Sequence, residues 1–296
     1  MTTAFSSDLF KRVRQIEITT RKRVDDLMSG QYKSHFKGSG VQFSEHRQYV
    51  AGDDVRHMDW KASARMQDPV IKKYEEEREL TVLIIVDISA SEQFGTSNRL
   101  KSEVAAEIAG MLTYAAIHSG DKVGAILFAG EIEKMIPPKK GRSHTLRIIR
   151  DLLSTQATTR GTNLTEALDR AARLMKHAGV IFVLSDFIAD GYQQSLKKLA
   201  RKHDVVAIAV GDAREVQMPN VGHVLLSDPE TGQERFVDTG SFSFQQWFKE
   251  SRKKFQDSVS QILRTSGAEW IQVQTREDYA DAVVRFFRMR ARRRGK

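Results

Sequence analysis

The stretch Leu80-Thr-Val-Leu-Ile-Ile-Val-Asp87-Ile-Ser89-Ala-Ser91 limits what this chain can fold into more than any other. A short, continuous, β-branched apolar run reads as a strand buried on both faces, as in a parallel sheet covered by helices. This one ends in a carboxylate followed by two alternating hydroxyls. In open α/β sheets ligands gather beyond the carboxyl ends of the strands. Asp87, Ser89 and Ser91 would therefore bring hard oxygen donors to that edge, the kind that magnesium takes.

The pattern recurs downstream. Val180-Ile-Phe-Val-Leu184-Ser-Asp186 is a second apolar strand ending in an acid, and Val205 to Val210 a third, closed by Gly211-Asp212. Between them the apolar spacing predicts helices over Leu100 to His118, with Val104, Ile108, Met111, Leu112 and Ala115 facing inward, over Leu146 to Leu153, over Leu164 to Lys176, and around Leu196 and Leu199. Val123 to Phe128 reads as a strand, with Ile132 to Ile136 as its hairpin partner, stopped by Pro137-Pro138. A hairpin is expected at about 223–238, then a helix from Phe244 to Leu263, a strand at Trp270 to Val273 and a helix from Tyr279 to Met289. Strands alternating with helices mean an α/β fold: a doubly wound, mostly parallel sheet with helices on both faces.

The N-terminal part is different. Residues 8–28 read as a helix, capped by Ser7 and ended by Gly30. Residues 37–79 have weak helical periodicity, a turn at Gly52-Asp53-Asp54 and a strand after Pro69. Short strands and loops are expected there, a small β/loop module tied by Arg47, Arg56 and Arg65 to Asp53, Asp54 and Asp59. The domain reading is 1–79 for the helix and this module, 80–290 for the α/β domain and 291–296 for a basic tail.

The totals exclude several classes. There are no cysteines, so disulfides, thiolate metal sites and cysteine nucleophiles are out. No segment approaches the roughly 20 apolar residues needed to span a bilayer, and the N-terminus lacks the pattern of a signal peptide. The expected location is the cytoplasm, with peripheral attachment at the inner membrane as the alternative. The net charge is +9, yet residues 285–296 hold seven basic residues and no acid; without them 40 basic face 38 acidic residues. That end is either a solvated helix terminus or an arm for nucleic acid, anionic lipid or an acidic partner. No nucleic-acid recognition motif accompanies it. No P-loop, Gly-x-Ser-x-Gly or His-Glu-x-x-His is present. A strand-end Asp with magnesium also suits phosphoryl transfer, but Ser89 stands where haloacid-dehalogenase-like phosphatases need a second acid. No catalytic residue is assigned.

Three features meet at one sheet edge: Asp87, Ser89 and Ser91; the loop Gly161-Thr162-Asn163-Leu164; and Asp186. This set resembles the metal-ion-dependent adhesion site of von Willebrand factor A domains, which is Asp-x-Ser-x-Ser, a distal Thr and a distal Asp. The resemblance implies magnesium, with manganese as the alternative, held at Asp87, Ser89, Ser91, Thr162 and Asp186. It also implies an open position that takes an Asp or Glu from a partner protein. Thr162 is either a ligand or the cap of the helix that follows. Phe187 departs from the glycine common there, and is expected to narrow the site and touch the partner.

A second resemblance covers about residues 10 to 290. Phe43, Arg47-Gln-Tyr49, Gly52-Asp53-Asp54-Val-Arg56, Asp59-Trp60, Ser63-Ala64-Arg65, Asp228-Pro-Glu-Thr-Gly232 and Val237-Asp238 are similar to the hallmark of the bacterial DUF58 family. The resemblance implies a von Willebrand factor A-like domain and an adaptor or co-chaperone role beside a MoxR-type AAA+ ATPase. Arg47, Asp53, Arg56, Asp59 and Trp60 are then candidate partner contacts. Asp53, Arg56 and Trp60 serve equally as structural ties.

Overall fold

The computed structural model describes residues 42–294, apart from 51, 76–79, 97–98, 217 and 229–231. The helix expected at 8–28 lies outside the described residues. The chain divides into two compact units, a smaller one at Lys37–Leu80 and a larger one that includes Thr81–Lys296.

In the smaller unit β1 (Gln42–Gln48) runs antiparallel to β2 (Val70–Glu75), from Gln48 opposite Val70 to Gln42 opposite Glu75. The sequence led us to expect only strands and loops here, but Trp60–Met66 forms a short helix, α1. Seven residues are too few for apolar periodicity to register. The signal was Asp59, whose carboxylate accepts from the N–H groups of Lys61 and Ala62 at 3.2 and 3.1 Å, satisfying donors that an uncapped helix leaves free.

The larger unit is built on six strands. They are β3 (Thr81–Asp87), β4 (Lys122–Phe128), β5 (Ile132–Lys139), β6 (Val180–Ser185), β7 (Asp204–Gly211) and β10 (Glu269–Gln274). Their order is β10-β7-β6-β3-β4-β5, all parallel except β5. A separate antiparallel hairpin, β8 (His223–Ser227) with β9 (Glu234–Asp238), interrupts the α/β pattern as expected.

Strand β3 sits inside the sheet, and Val82, Leu83, Ile84, Ile85 and Val86 are all buried. Burying each such side chain contributes about 1.5–3 kcal/mol. Leu83 and Ile85 pack with α4 (Leu164–Leu174), α5 (Gln193–Ala200) and α7 (Phe242–Ser266), the last preceded by the one-turn α6 (Ala213–Val216), in one core. Residues alternate across a strand, so Val82, Ile84 and Val86 face the other layer. That layer holds α2 (Lys101–His118) and α8 (Tyr279–Arg294); Phe182, level with Ile84, meets Phe287 of α8 edge-on. The expected inward face of α2, Val104 through Ala115, is buried throughout. Helix α3 (Arg142–Ser154) packs beside α2.

Two expectations are corrected. Pro137-Pro138 does not stop β5, which continues to Lys139. The strand is at the sheet edge, where a missing N–H costs no ladder bond. The ladder also shifts register between Val123 and Ala125, where a Cβ on Gly124 would lie 2.7 Å from the Ile136 carbonyl oxygen. The second correction concerns the arginine-rich end. Arg290 is not solvated but 2% exposed, and its guanidinium pairs with Asp204 and with Glu269, the first residues of β7 and β10. Helix α8 runs on to Arg294, into the stretch expected to be a tail.

Candidate functional site

The sheet order reverses at β3 and β6, neighbours whose chain connections lead to opposite edges. Asp87 ends β3, and the Asp-x-Ser turn holds it: Asp87 Oδ1 accepts from the Ser89 N–H at 3.0 Å. Ser185, the last residue of β6, donates its hydroxyl to Asp87 Oδ2 at 2.7 Å. Ser89 Oγ lies 3.1 Å from Ser91 Oγ. Asp87 and Ser89 are fully buried, Ser91 partly.

Residues Ala90–Gln93 form a 3-10 turn that swings Glu92 back under the strand ends. Its carboxylate is fully buried, and Oε1 accepts from the Asp186 N–H at 3.0 Å. Asp186 accepts from the Ile188 N–H at Oδ1 (3.0 Å) and from Lys101 Nζ at Oδ2 (2.8 Å). Lys101 opens α2, is fully buried, and also donates to Glu215 Oε1 at 2.9 Å. One oxygen each of Asp87, Glu92 and Asp186 lies within 4.8 Å of the others.

Three carboxyl groups thus converge out of water, with one ammonium shared between Asp186 and Glu215. The crowding shifts the titration of Asp87 and Glu92. Burial, then the neighbouring charge of Asp186, pushes the Asp87 carboxyl up to about 6. Burial pushes Glu92 up further, well above the ordinary carboxylate range, again helped by Asp186. Burial works against the Lys101 ammonium, but the charges of Glu92, Asp186 and Glu215 outweigh it and raise its pKa.

The loop carrying Thr162 is tied to the strand next to β3. The Asn163 N–H donates to the Ala129 carbonyl at 2.7 Å. Gly130 lets the loop in close: a Cβ there would lie 2.2 Å from the Arg160 carbonyl oxygen. Glu133 pins the loop from β5, accepting from the N–H and hydroxyl of both Thr158 and Thr159 at 2.6–3.0 Å. These bonds outweigh its partial desolvation and hold its pKa at about 2. The cap of α4 is Asn163, which accepts from the Glu166 N–H at 3.0 Å. Thr162 is not needed for that role.

The family described as "Protein of unknown function DUF58" matches residues 45–258. The chain belongs to the DUF58 family. It is similar to an uncharacterized protein of Mycobacterium tuberculosis (strain H37Rv), 32% identical over 287 residues, 96% of this chain and 89% of the relative. An aerotolerance-related membrane protein from Bacteroides fragilis has a similar fold, with TM-score 0.51 at 19% identity over 72% of this chain and 99% of that one. The SpRpn10 VWA domain aligns with TM-score 0.40 at 10% identity over 69% of this chain and 94% of that one. The fold is the α/β class that the sequence implied, a mostly parallel sheet flanked by helices.

In this DUF58 protein the hallmark residues of the smaller unit mostly tie it together. Arg47 holds Asp53 with two parallel bonds of 2.8 and 2.7 Å, and Asp53 also accepts from the Val50 N–H. Asp59 caps α1 and meets His46 Nε2 at 3.0 Å and Lys72 Nζ at 3.4 Å. The His46 bond first, and the Ala62 N–H next, hold its carboxyl well below the ordinary range. Arg56 reaches Asp54 at 3.3 Å, within the expected set of ties, and is largely exposed. Trp60, 67% exposed, presents a large apolar side chain to solvent, as Val55 of the same hallmark does.

Phe187 is corrected. It is 1% exposed, and its ring packs against Tyr192 in the core, so it neither narrows the site nor faces a partner. Its φ of 60° is left-handed, a conformation that glycine adopts without cost. Burial of the ring holds an aromatic residue there.

Sequence reasoning missed Glu92, Lys101, Ser185 and Glu215. Charged residues look like surface in any apolar pattern. Lys101 did carry one signal: an ammonium in the first turn of a helix opposes the helix dipole and needs an acid to hold it there.

Proposed function

We propose that this DUF58 protein is a metal-dependent protein-interaction module. A divalent cation, magnesium or manganese, would be held by Ser89, Ser91, Thr162, Asp87 and Asp186. The observation that carries the reading is the cluster itself. Asp87, Glu92 and Asp186 converge in a desolvated site, all hard oxygen donors, and Glu92 Oε2 is buried with no hydrogen-bond partner. Buried carboxylates crowd together at high cost unless a cation accompanies them. A divalent ion supplies that charge and matches the donor chemistry.

When bound, such an ion offers a Lewis-acidic position to an oxygen ligand from outside. The chain's own residues keep the donors in place. Ser185 and the Ser89 N–H orient Asp87, and Lys101 and the Ile188 N–H orient Asp186. The partner class is a protein that presents an Asp or Glu. Family membership favours a MoxR-type AAA+ ATPase or its client, with this chain as adaptor or co-chaperone. Trp60 and Arg56 would add contacts from the smaller unit. Among the described residues no helix is long and apolar enough to cross a membrane.

The test is capture of a purified MoxR-type ATPase from the same genome by the immobilised full chain. Retention is expected in magnesium, and at least tenfold less in EDTA or with Ser89→Ala. Equal retention in all three conditions would refute metal-dependent recognition.

A further inference from the structure

We propose that Glu92 is a further ligand of this metal site, outside the Asp-x-Ser-x-Ser pattern, and that it lets the chain keep its cation without a partner's carboxylate. The inference rests on the metal reading above and goes beyond it.

The hydrogen bonds divide the three carboxylates into two kinds. Both oxygens of Asp87 are engaged, Oδ1 by the Ser89 N–H and Oδ2 by the Ser185 hydroxyl. Both oxygens of Asp186 are engaged, Oδ1 by the Ile188 N–H and Oδ2 by Lys101 Nζ. Glu92 spends Oε1 on the Asp186 N–H, while Oε2 has no hydrogen-bond partner and no access to water. A buried, unpaired carboxylate oxygen is costly, and in a native fold it calls for a partner. Lys101, the nearby ammonium, is already directed at Asp186 and Glu215. A cation among Asp87, Glu92 and Asp186 is what would satisfy Oε2.

The position is fixed by short-range structure rather than by a flexible arm. Glu92 directly follows Ser91, and its N–H donates to the Ser89 carbonyl at 3.1 Å, so the turn that presents the serines also presents this carboxylate. Affinity for hard cations rises with the number of charged ligands and with the rigidity of the site. A third carboxylate therefore shifts the site toward retention. It also lowers the attraction left over for a carboxylate from outside, so recognition by this chain would lean more on surrounding surface than on the metal alone.

Glu92→Gln separates the roles. The amide oxygen can still accept from the Asp186 N–H, while an NH2 group takes the place of Oε2 and cannot ligate. The experiment is calorimetric titration of MnCl2 and of MgCl2 into the full-length wild type and variant, with melting temperatures measured in EDTA. Expected are measurable binding by the wild type, binding at least tenfold weaker in Glu92→Gln, and a melting temperature in EDTA no lower than that of the wild type. Should Glu92→Gln not fold, Glu92→Asp keeps the charge but withdraws the oxygen by one methylene, and the same tenfold loss is expected. A folded variant that binds either ion as tightly as the wild type would overturn the role of Glu92 alone. A wild type that binds neither ion would overturn the metal reading with it.

Discussion

Replacing Lys101 by methionine is expected to lower the unfolding free energy by about 3–5 kcal/mol, the cost of breaking a buried ion pair by removing one partner. The ammonium is fully buried and bonded to Asp186 at 2.8 Å and Glu215 at 2.9 Å. Methionine keeps much of the length and the apolar stem but leaves those carboxylates desolvated without their cation. The loss should shrink at pH 5, where Asp87 and Glu92, both raised by burial, take up protons and leave less negative charge beside Asp186. It should shrink again in millimolar magnesium, because a site with one fewer positive charge attracts the ion more strongly. Urea unfolding at pH 7.5 and pH 5, each with EDTA or magnesium, measures all four cases. A loss under 1 kcal/mol in EDTA at pH 7.5 would mean that the ammonium is not holding the cluster together.

The second large effect is the pH dependence of the metal-free protein. Asp87 is raised from the ordinary 3.8 to about 6, so the folded state holds this proton more tightly than the unfolded state does. Its stabilising contribution is therefore full below about pH 4 and is lost as the pH rises through 6. One proton held over that interval corresponds to on the order of 3 kcal/mol. Glu92, also raised, acts in the same direction. Asp212 and Glu133, both lowered to about 2, act in a different window: their contributions are present above about pH 4 and are lost as the pH falls through 2. In EDTA, Asp87→Asn should flatten the decline between pH 4 and 6 and leave the variant more stable than the wild type at pH 7.5. The asparagine oxygen can still accept from the Ser89 N–H, and the Ser185 hydroxyl can turn to accept from the new amide. Magnesium competes with the protons, so it should stabilise the wild type little at pH 5 and more at pH 7.5. Unfolding free energies across pH 4–8 give the comparison, and an unchanged slope in Asp87→Asn would contradict the raised pKa.

The charged cluster at the ends of β3 and β6 was legible in only some of its parts. Leu80 to Ser91 could be read because a buried strand advertises itself by residue type, and Asp87 stood out as the exception at its end. The inward face of α2 and the strands at Val180 and Val205 followed from the same apolar signal. Glu92 and Lys101 were invisible to that signal, since their burial depends on each other and on Asp186 across the sheet edge. Arg290 was hidden in an arginine-rich run, and only the meeting of α8 with the first residues of β7 and β10 shows why it is buried. Pro137-Pro138 misled because a proline ends a strand only where its missing N–H is needed, and the sequence does not say which strand is at the edge. For Phe187 the departure from glycine was noticed, but its burial depends on packing with Tyr192 that no local pattern encodes.

The most direct test of the metal centre is the number of manganese ions bound per chain at equilibrium dialysis, for the wild type and Asp87→Asn at pH 7.5. We predict one ion per wild-type chain at micromolar to submillimolar free manganese, and none on the folded variant over the same range. No bound ion on the wild type, or one ion on both proteins, would contradict a metal site at Asp87, Ser89, Ser91, Thr162 and Asp186.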